Sequence, residues 1–359
     1  MGPRRAPGAA NPRSVRFVQP FGNGTTAIYA ALRALGCRDR PVMLPANICP
    51  SVISAIYRSS NIPFFVDIER ERWGLDPEAV AREVAQAGAV IAVHMFGIPC
   101  HIGRIVAACE AHGVPVIEDC AQAEGALVDS LPVGSFGDIA VFSYGAGKII
   151  SAGGGGAAST RDAELFRALG SEHDALPEGS GDDVHAELGR AYKRLYNNNY
   201  PALPGEHRQE FDALLRSLAP RVLARHDASR DAIVAREHAT LKLNVSERLR
   251  KAREYRRLLA DLPGVGFIEF PEGSAPWRFN LLLEFEVRHK LLKEFLAAGA
   301  NVSSWYPDIS GFLPPGTFRA APIANSVWLD KHVLNLWVDD ATTDADIRAT
   351  CVRVKEWLS

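Results

Sequence analysis

Residues 138–156 place one lysine where an amine could do chemistry. An apolar run, Ile139–Phe142, is typical of a buried strand, and small, flexible residues holding Lys148 follow it, then a glycine run at 153–156. A lysine held in such a place loses solvation, its pKa falls, and its amine can attack an aldehyde. Most lysines in glycine-rich turns are solvated surface residues instead. The rest of the chain has to decide between these interpretations.

A second segment places an acid and an amide after another apolar run. Val114–Glu118 is a predicted strand, Asp119 follows it directly, and Gln122 comes three residues later. In a doubly wound sheet, ligands bind beyond the carboxyl ends of the strands. An aspartate there can keep a pyridinium nitrogen protonated, although it could also simply cap the next helix. Because strand residues alternate between faces, we expect Glu118 to point away from this site.

A phosphate anchor is predicted at Gly24 and Thr25, which open a helix. Backbone N–H groups and the helix dipole favour an anion there, and glycine permits its close approach, although most such helix starts are simple caps. Ser143, five residues before Lys148, is a plausible second phosphate ligand. A phosphate anchor, an acid for a ring nitrogen and an amine are what pyridoxal 5′-phosphate (PLP) requires. PLP is therefore the predicted cofactor.

The elements that must position these residues alternate between helices and short apolar strands. The predicted helices are Thr26–Leu35, Pro50–Ser59, Pro77–Ala87 and Ile102–His112, and the further predicted strands are Val42–Pro45, Pro63–Asp67 and Ala89–His94. Continuous apolar strands separated by helices indicate a mostly parallel sheet that is covered on both faces. The sequence therefore predicts an α/β fold for this part of the chain.

The remaining sequence predicts an insertion and a smaller α+β unit. The insertion, or cap, at 165–224 contains a turn cluster at 197–201 and short helices such as Arg208–Leu218. A long helix at 227–260 follows, and then strands Val265–Ile268, Phe279–Phe285 and Val333–Val338 and helices Arg288–Ala297 and Asp344–Leu358. For 359 residues we predict a flexible basic arm at 1–16, a large PLP-binding domain at 17–240 and a small C-terminal domain at 241–359.

Composition and charge argue against several classes of protein. The net charge of -2 gives no support for a nucleic-acid or anionic-membrane surface. No apolar stretch approaches the roughly 20 residues of a membrane span. The six cysteines show no metal-ligand spacing, so we expect no metal and a reducing, cytoplasmic compartment.

The motifs together resemble those of the DegT/DnrJ/StrS-type sugar aminotransferases, which are PLP enzymes of fold type I. The resemblance is carried by Gly24-Thr25, Val93-His94-Met-Phe-Gly97-Ile-Pro99, Glu118-Asp119-x-Ala-Gln122-Ala and Gly134-Ser-Phe-Gly137-Asp138 through Lys148, and it is weaker beyond Thr160. It implies Asp119 on the pyridine nitrogen, Gln122 near the ring hydroxyl, Gly24, Thr25 and Ser143 on the phosphate, and Lys148 as Schiff base and proton shuttle. It also implies a homodimer with shared active sites.

Two segments depart from the family's pattern and bear on the substrate. Cys49 stands where many members place an aromatic residue that stacks on the ring. Trp305-Tyr306-Pro307 is similar to the family's His-Tyr-Pro segment, so Trp305 and Tyr306 are candidate substrate-binding residues. The family's Asn-x-Arg loop, which reaches a neighbour's phosphate, has no clear counterpart. These departures indicate a less common substrate.

The predicted function is a PLP-dependent aminotransferase. By the resemblance, glutamate or glutamine donates the amino group to a keto-sugar, cyclitol or related ketone in secondary-metabolite or polysaccharide biosynthesis. A PLP-dependent dehydratase or eliminase of the same fold stays an alternative. Family members that dehydrate deoxysugars have histidine in place of the lysine, so Lys148 argues against that subset alone. A non-catalytic regulatory homologue is disfavoured by Lys148, Asp119 and Gln122.

Overall fold

The computed structural model describes residues 16–179, 182–199 and 205–358. The predicted basic arm therefore lies, apart from Arg16, outside the described residues. The strands are β1 (Phe17–Phe21), β2 (Pro41–Pro45), β3 (Ile62–Val66), β4 (Ala89–Val93), β5 (Val116–Asp119), β6 (Leu127–Val128), β7 (Leu131–Pro132), β8 (Ile139–Ser143), β9 (Gly156–Thr160), β10 (Val265–Phe267), β11 (Arg278–Leu283), β12 (Val302–Ser303), β13 (Arg319–Ala320) and β14 (Val333–Trp337).

The helices are α1 (Gly24–Ala34), α2 (Pro50–Arg58), α3 (Pro77–Glu83), α4 (Ile102–Glu110), α5 (Ala163–Asp174), α6 (Asp182–Asn199), α7 (Gly205–Leu218), α8 (Asp231–Leu259), α9 (Phe285–Ala297), α10 (Ala324–His332) and α11 (Asp344–Leu358). Among the described residues, no helix combines the length and the apolar character that crossing a membrane requires.

An eight-stranded sheet in the order β1-β9-β8-β5-β4-β2-β3-β13 is the centre of the larger part of the molecule. The six strands from β8 to β13 run parallel, and β9 and β1 pair antiparallel at the other edge. Because β4, β5 and β8 are parallel neighbours, their carboxyl ends meet at one edge of the sheet. The register sets Asp119 beside both Val93 and Val141.

Alternate residues of the parallel strands pack on opposite faces of this sheet. Leu44, Phe65 and Ile91 lie in the core formed with α1 and α2, whereas their neighbours pack against α3 and α4. All five residues of β4 are buried, as expected for a strand covered on both sides. This arrangement confirms the predicted α/β fold class.

A second, antiparallel sheet in the order β10-β11-β14-β12 follows in the C-terminal part of the chain. Helices α8, α9 and α10 contact its strands and α11 packs on α8, and the ring of Tyr255 on α8 stacks on Phe279 of β11. Helix α8 is continuous across residue 240, and the boundary that we predict there stays a prediction. The short strand β13 pairs with Phe64 and Phe65 of β3 and so belongs to the large sheet.

The insertion contains more regular structure than the sequence predicts. Asn197–Asn199, predicted as part of a turn, are the last residues of α6, so the turn prediction is wrong for them. The apolar face of α6, which includes the buried Leu188 and Tyr192, packs against α2 and α7. Tertiary packing of this face outweighs the weak helix propensity of asparagine.

The glycine run leads directly into a strand that the sequence analysis did not predict, β9. A Cβ atom at Gly156 would lie 2.6 Å from the backbone nitrogen of Gly24. Glycine therefore lets β9 pass close to the start of α1, where the sequence predicts the phosphate anchor.

Candidate active site

The loop that carries Lys148 is held against a distant part of the chain. After β8 the chain turns through Gly147, whose positive φ of 76° favours glycine. The indole Nε1 of Trp277 donates a hydrogen bond to the Gly147 carbonyl, 2.8 Å away. The Lys148 Nζ lies 5.6 Å from the centre of the Trp277 ring. The small C-terminal sheet therefore fixes the lysine loop beside an aromatic wall.

Burial lowers the pKa of Lys148 below its ordinary value. The neighbouring Cys49 side chain and the Asp119 carboxylate act against this fall, and the positive charge of Arg278 adds to it. Because burial prevails, a larger share of the amine is neutral at neutral pH than for a surface lysine. A neutral amine is the form that attacks a carbonyl carbon.

Asp119 is a buried carboxylate at the end of β5 with one internal hydrogen bond. Its Oδ1 accepts from the Ala121 N–H at 2.9 Å, and its Oδ2 accepts none from the described residues. Burial raises the pKa of Asp119, while that hydrogen bond and the charges of Lys148 and His94 act against the rise. The carboxylate therefore keeps acceptor capacity for a proton on a bound group.

Gln122 is buried and held at its carbonyl end. Its Oε1 accepts a hydrogen bond from the Phe96 N–H at 3.1 Å, and its Nε2 lies 3.8 Å from the sulfur of Met95. The turn at Met95–Gly97 thus fixes the orientation of the amide. The amide N–H groups have no stronger partner than this sulfur among the described residues, so they stay available as donors.

The three residues predicted to bind a phosphate lie together at the start of α1. Asn23 caps this helix, with its Oδ1 accepting from the Thr26 N–H at 2.8 Å. A Cβ atom at Gly24 would lie 2.8 Å from the Cβ of Ser143, so this space is open because the residue is glycine. Thr25 follows in the first turn of the helix, where backbone N–H groups favour an anion.

Tyr306 and Cys49 join the lysine and the aspartate. The Tyr306 hydroxyl lies beside Cys49, and burial raises the pKa of Tyr306 well above the ordinary value, assisted by Cys49 and by the charge of Asp119. The Tyr306 ring stacks on Trp277 with 5.9 Å between ring centres. Trp305 is placed differently: it contacts Tyr192 of α6, with 5.6 Å between ring centres.

Three further residues of this region were missed by the sequence analysis. They are Trp277, which directly precedes β11, Arg278, the first residue of β11, and His185 of α6, whose Nε2 lies 2.9 Å from the Thr25 hydroxyl. The Arg278 guanidinium lies 4.4 Å from the ring centre of Trp277 and 4.1 Å from that of Trp337, and burial lowers its pKa to about 10. These residues lie far from the motifs in sequence and belong to no recognisable pattern.

The opposite face of the sheet holds the neighbour of Asp119. Glu118 accepts hydrogen bonds from the backbone of Gly134, Phe136 and Gly137 and pairs with His94, whose Nε2 lies 3.0 Å from Oε1. The expectation that Glu118 points away from the site is confirmed. Much of the Gly134–Gly137 motif thus serves to hold this carboxylate.

Comparisons with known proteins agree with the motifs. Residues 13–175 match the sequence model of the DegT/DnrJ/EryC1/StrS aminotransferase family. The chain is 33% identical over 159 residues to GDP-perosamine synthase of Escherichia coli O157:H7, which covers 44% of each chain. It is 34% identical over 152 residues to the L-glutamine:2-deoxy-scyllo-inosose aminotransferase of Streptomyces kanamyceticus, covering 42% of this chain and 36% of the relative. The chain thus spans less than half the length of these curated relatives.

A solved structure extends the likeness to nearly the whole chain. The crystal structure of DesI in the presence of its TDP-sugar product matches 95% of this chain and 80% of that chain, with a TM-score of 0.75 and 24% sequence identity. The fold is therefore PLP fold type I. Over residues 13–175, which contain every residue predicted to bind the cofactor, the chain carries the sequence pattern of the DegT/DnrJ/EryC1/StrS aminotransferase family, and the resemblance found in its motifs is confirmed.

Proposed function

We propose that this chain is a PLP-dependent aminotransferase that moves an amino group from glutamate or glutamine to a keto-sugar, cyclitol or related ketone. The observation that carries the proposal is the Lys148 amine, which lies 5.6 Å from the Trp277 ring centre, has a pKa lowered by desolvation and shares its surroundings with Asp119. Relatives named for perosamine and for an inosose support this class of acceptor.

The residues present fit the cofactor. Gly24, Thr25 and Ser143 would hold the phosphate in the space that the missing Cβ of Gly24 leaves open. Asp119 would accept the proton of the ring nitrogen at its Oδ2, and Gln122 would donate to the ring hydroxyl. When bound, PLP supplies an aldehyde for the amine and an electron-withdrawing ring.

Lys148, Asp119 and the pair Tyr306 and Trp277 have different roles in the proposed reaction. In its neutral form, Lys148 Nζ would act as nucleophile toward the aldehyde of the cofactor, and as a free amine it would accept the proton of the donor's Cα and return it to the cofactor. Asp119 keeps the ring nitrogen protonated, which requires its carboxylate to stay ionised despite burial; the charge of Lys148 assists this. Tyr306 and Trp277 form a stacked wall that limits the access of water.

We also propose that the protein is a cytoplasmic homodimer with shared active sites. Large apolar side chains are exposed on β1 and α8, at Phe17, Val18 and Leu243, where a second subunit could cover them. All six cysteines are free thiols, as in a reducing compartment. Sedimentation velocity measures the dimer directly, and a monomer at micromolar concentration would contradict it.

The proposed activity is tested by the donor half-reaction. We expect the PLP-loaded protein to convert L-glutamate to 2-oxoglutarate with formation of pyridoxamine phosphate, and Lys148→Ala to lose at least a thousandfold in rate because no other group replaces the amine. The exposed Lys242→Ala is the matched control and should keep the rate. Loss of water from a keto-sugar without pyridoxamine phosphate would indicate the dehydratase, and PLP binding that does not depend on Lys148 would contradict the proposal.

A further inference from the structure

Helix α6 of the insertion contacts both ends of the candidate site. Near its start, the Nε2 of His185 lies 2.9 Å from the Thr25 Oγ1. Tyr192, on the same helix, packs its ring against Trp305 with 5.6 Å between ring centres. The two residues are seven positions apart, or two turns and about 10 Å, and so share one face of the helix.

The position of α6 does not depend on the polar contact. Its buried apolar residues, Val184, Leu188, Ala191 and Leu195, lie on the side that packs against α2 and α7. Burial of four such side chains stabilises the packing by several kcal/mol, whereas one neutral hydrogen bond contributes about 1 kcal/mol. His185 is therefore brought to Thr25 by a helix that other contacts already hold.

The donor and acceptor groups of His185 and Thr25 allow the hydrogen bond to run from the histidine to the threonine. A threonine hydroxyl has one proton to donate and two lone pairs to accept with. If the His185 Nε2–H donates to the Thr25 Oγ1, the hydroxyl proton is left for an acceptor on the open side of α1. That side is where Gly24 and Ser143 adjoin, and the first turn of the helix favours an anion there.

We propose that His185 is a positioning residue for the phosphate anchor: it orients the Thr25 hydroxyl toward the phosphate of the cofactor. The inference rests on the proposed function, since it assigns a phosphate monoester to this end of the site. It gives the insertion a role in the chain's own site, because α6 supplies a polar group that the sequence motifs lack.

Affinity for PLP compared with affinity for pyridoxal, which lacks the phosphate, tests the proposal. Each is titrated into the full-length, cofactor-stripped protein and followed by absorbance. We expect His185→Ala to weaken PLP binding about tenfold, the loss typical of one charge-assisted hydrogen bond, and to leave pyridoxal binding within twofold. His185→Gln retains an N–H donor and should recover most of the loss. His207→Ala, a histidine change on α7, is the control and should alter neither affinity.

The ratio of the two affinities decides the outcome. An unchanged ratio in His185→Ala, or tighter PLP binding, would overturn the proposal and assign α6 a covering role alone. If His185→Ala loses pyridoxal binding too, the whole site is damaged, and the ratio in His185→Gln decides instead. Failure of the proposed function is recognised separately, because the unaltered protein would then bind neither compound in a Lys148-dependent way.

Discussion

Glu118 and Asp119 stand side by side at the end of β5, and their carboxylates lie on opposite faces of the sheet. Glu118 accepts hydrogen bonds from three backbone N–H groups and from His94. Burial raises the pKa of Glu118, but the bonds from His94 and the loop backbone outweigh burial and lower the pKa overall. Asp119 accepts one hydrogen bond, and burial raises its pKa.

The difference between these carboxylates separates a structural role from a chemical one. A buried carboxylate whose acceptor capacity is used by its own chain stabilises that chain and has little left for a ligand. A buried carboxylate with an oxygen that accepts no hydrogen bond is stabilised most when a ligand supplies the missing donor. Glu118 therefore holds the Gly134–Gly137 loop in place, and Asp119 is the residue that we assign to the ring nitrogen.

The largest expected effect is on activity, at Asp119. Asparagine cannot hold a ring nitrogen protonated, so Asp119→Asn should slow the glutamate half-reaction at least a thousandfold, equivalent to about 4 kcal/mol of barrier. Its free energy of unfolding should change by less than about 1 kcal/mol, because one hydrogen bond is altered and a buried charge is removed. Single-turnover absorbance and urea unfolding measure the two effects. An active variant would contradict the assignment.

The next effect is on stability, at Glu118. Glutamine would turn an N–H₂ group toward backbone donors that now bind a carboxylate, so Glu118→Gln should lower the free energy of unfolding by about 3 kcal/mol. PLP absorbance per folded molecule should be unchanged. The exposed Glu110→Gln is the control, with an expected change below about 0.5 kcal/mol. If Glu118→Gln were as stable as the unaltered protein but inactive, the two roles would have to be exchanged.

A third carboxylate in the same segment, Glu124, should make the stability of the protein depend on pH. Burial raises its pKa to about 8, so the folded state holds a proton that the unfolded chain releases above its ordinary pKa. Stability should therefore decline as the pH rises from about 4.5 to 8, by about 1.4 kcal/mol per pH unit and roughly 5 kcal/mol in total. Urea unfolding across this range should show the decline in the unaltered protein and not in Glu124→Gln. If the free energy of unfolding changed with pH in the same way in the unaltered protein and in Glu124→Gln, the raised pKa of Glu124 would be contradicted.

The sequence predicts best where local chemistry and local structure coincide. Asp119 and Ser143 end apolar strands, and parallel pairing carries both to one sheet edge, so periodicity and strand order suffice to bring them together. Gly24 is the first residue of an amphipathic helix, and the spacing of the apolar residues that follow it in the sequence also predicts this helix. These motifs act within their own strand–loop–helix units.

Hydrophobic periodicity does not predict the site residues that reach their positions through tertiary packing. Trp277, which directly precedes β11, holds Gly147, 130 positions earlier in the chain, and nothing near it in sequence signals that contact. His185 reaches Thr25 because α6 packs on α2 and α7. The glycine-rich start of β9 has weak strand propensity, and its pairing with β1 and β8 supplies the order that its composition lacks.

The most direct test of the account is to identify the lysine that bears the cofactor. The PLP-loaded protein is reduced with borohydride, which fixes the cofactor to the amine it modifies, and its peptides are then mapped by mass spectrometry. We expect a single pyridoxyl group, on Lys148, and its absence in Lys148→Ala. A modification on another lysine, or the same yield in Lys148→Ala, would contradict the central claim.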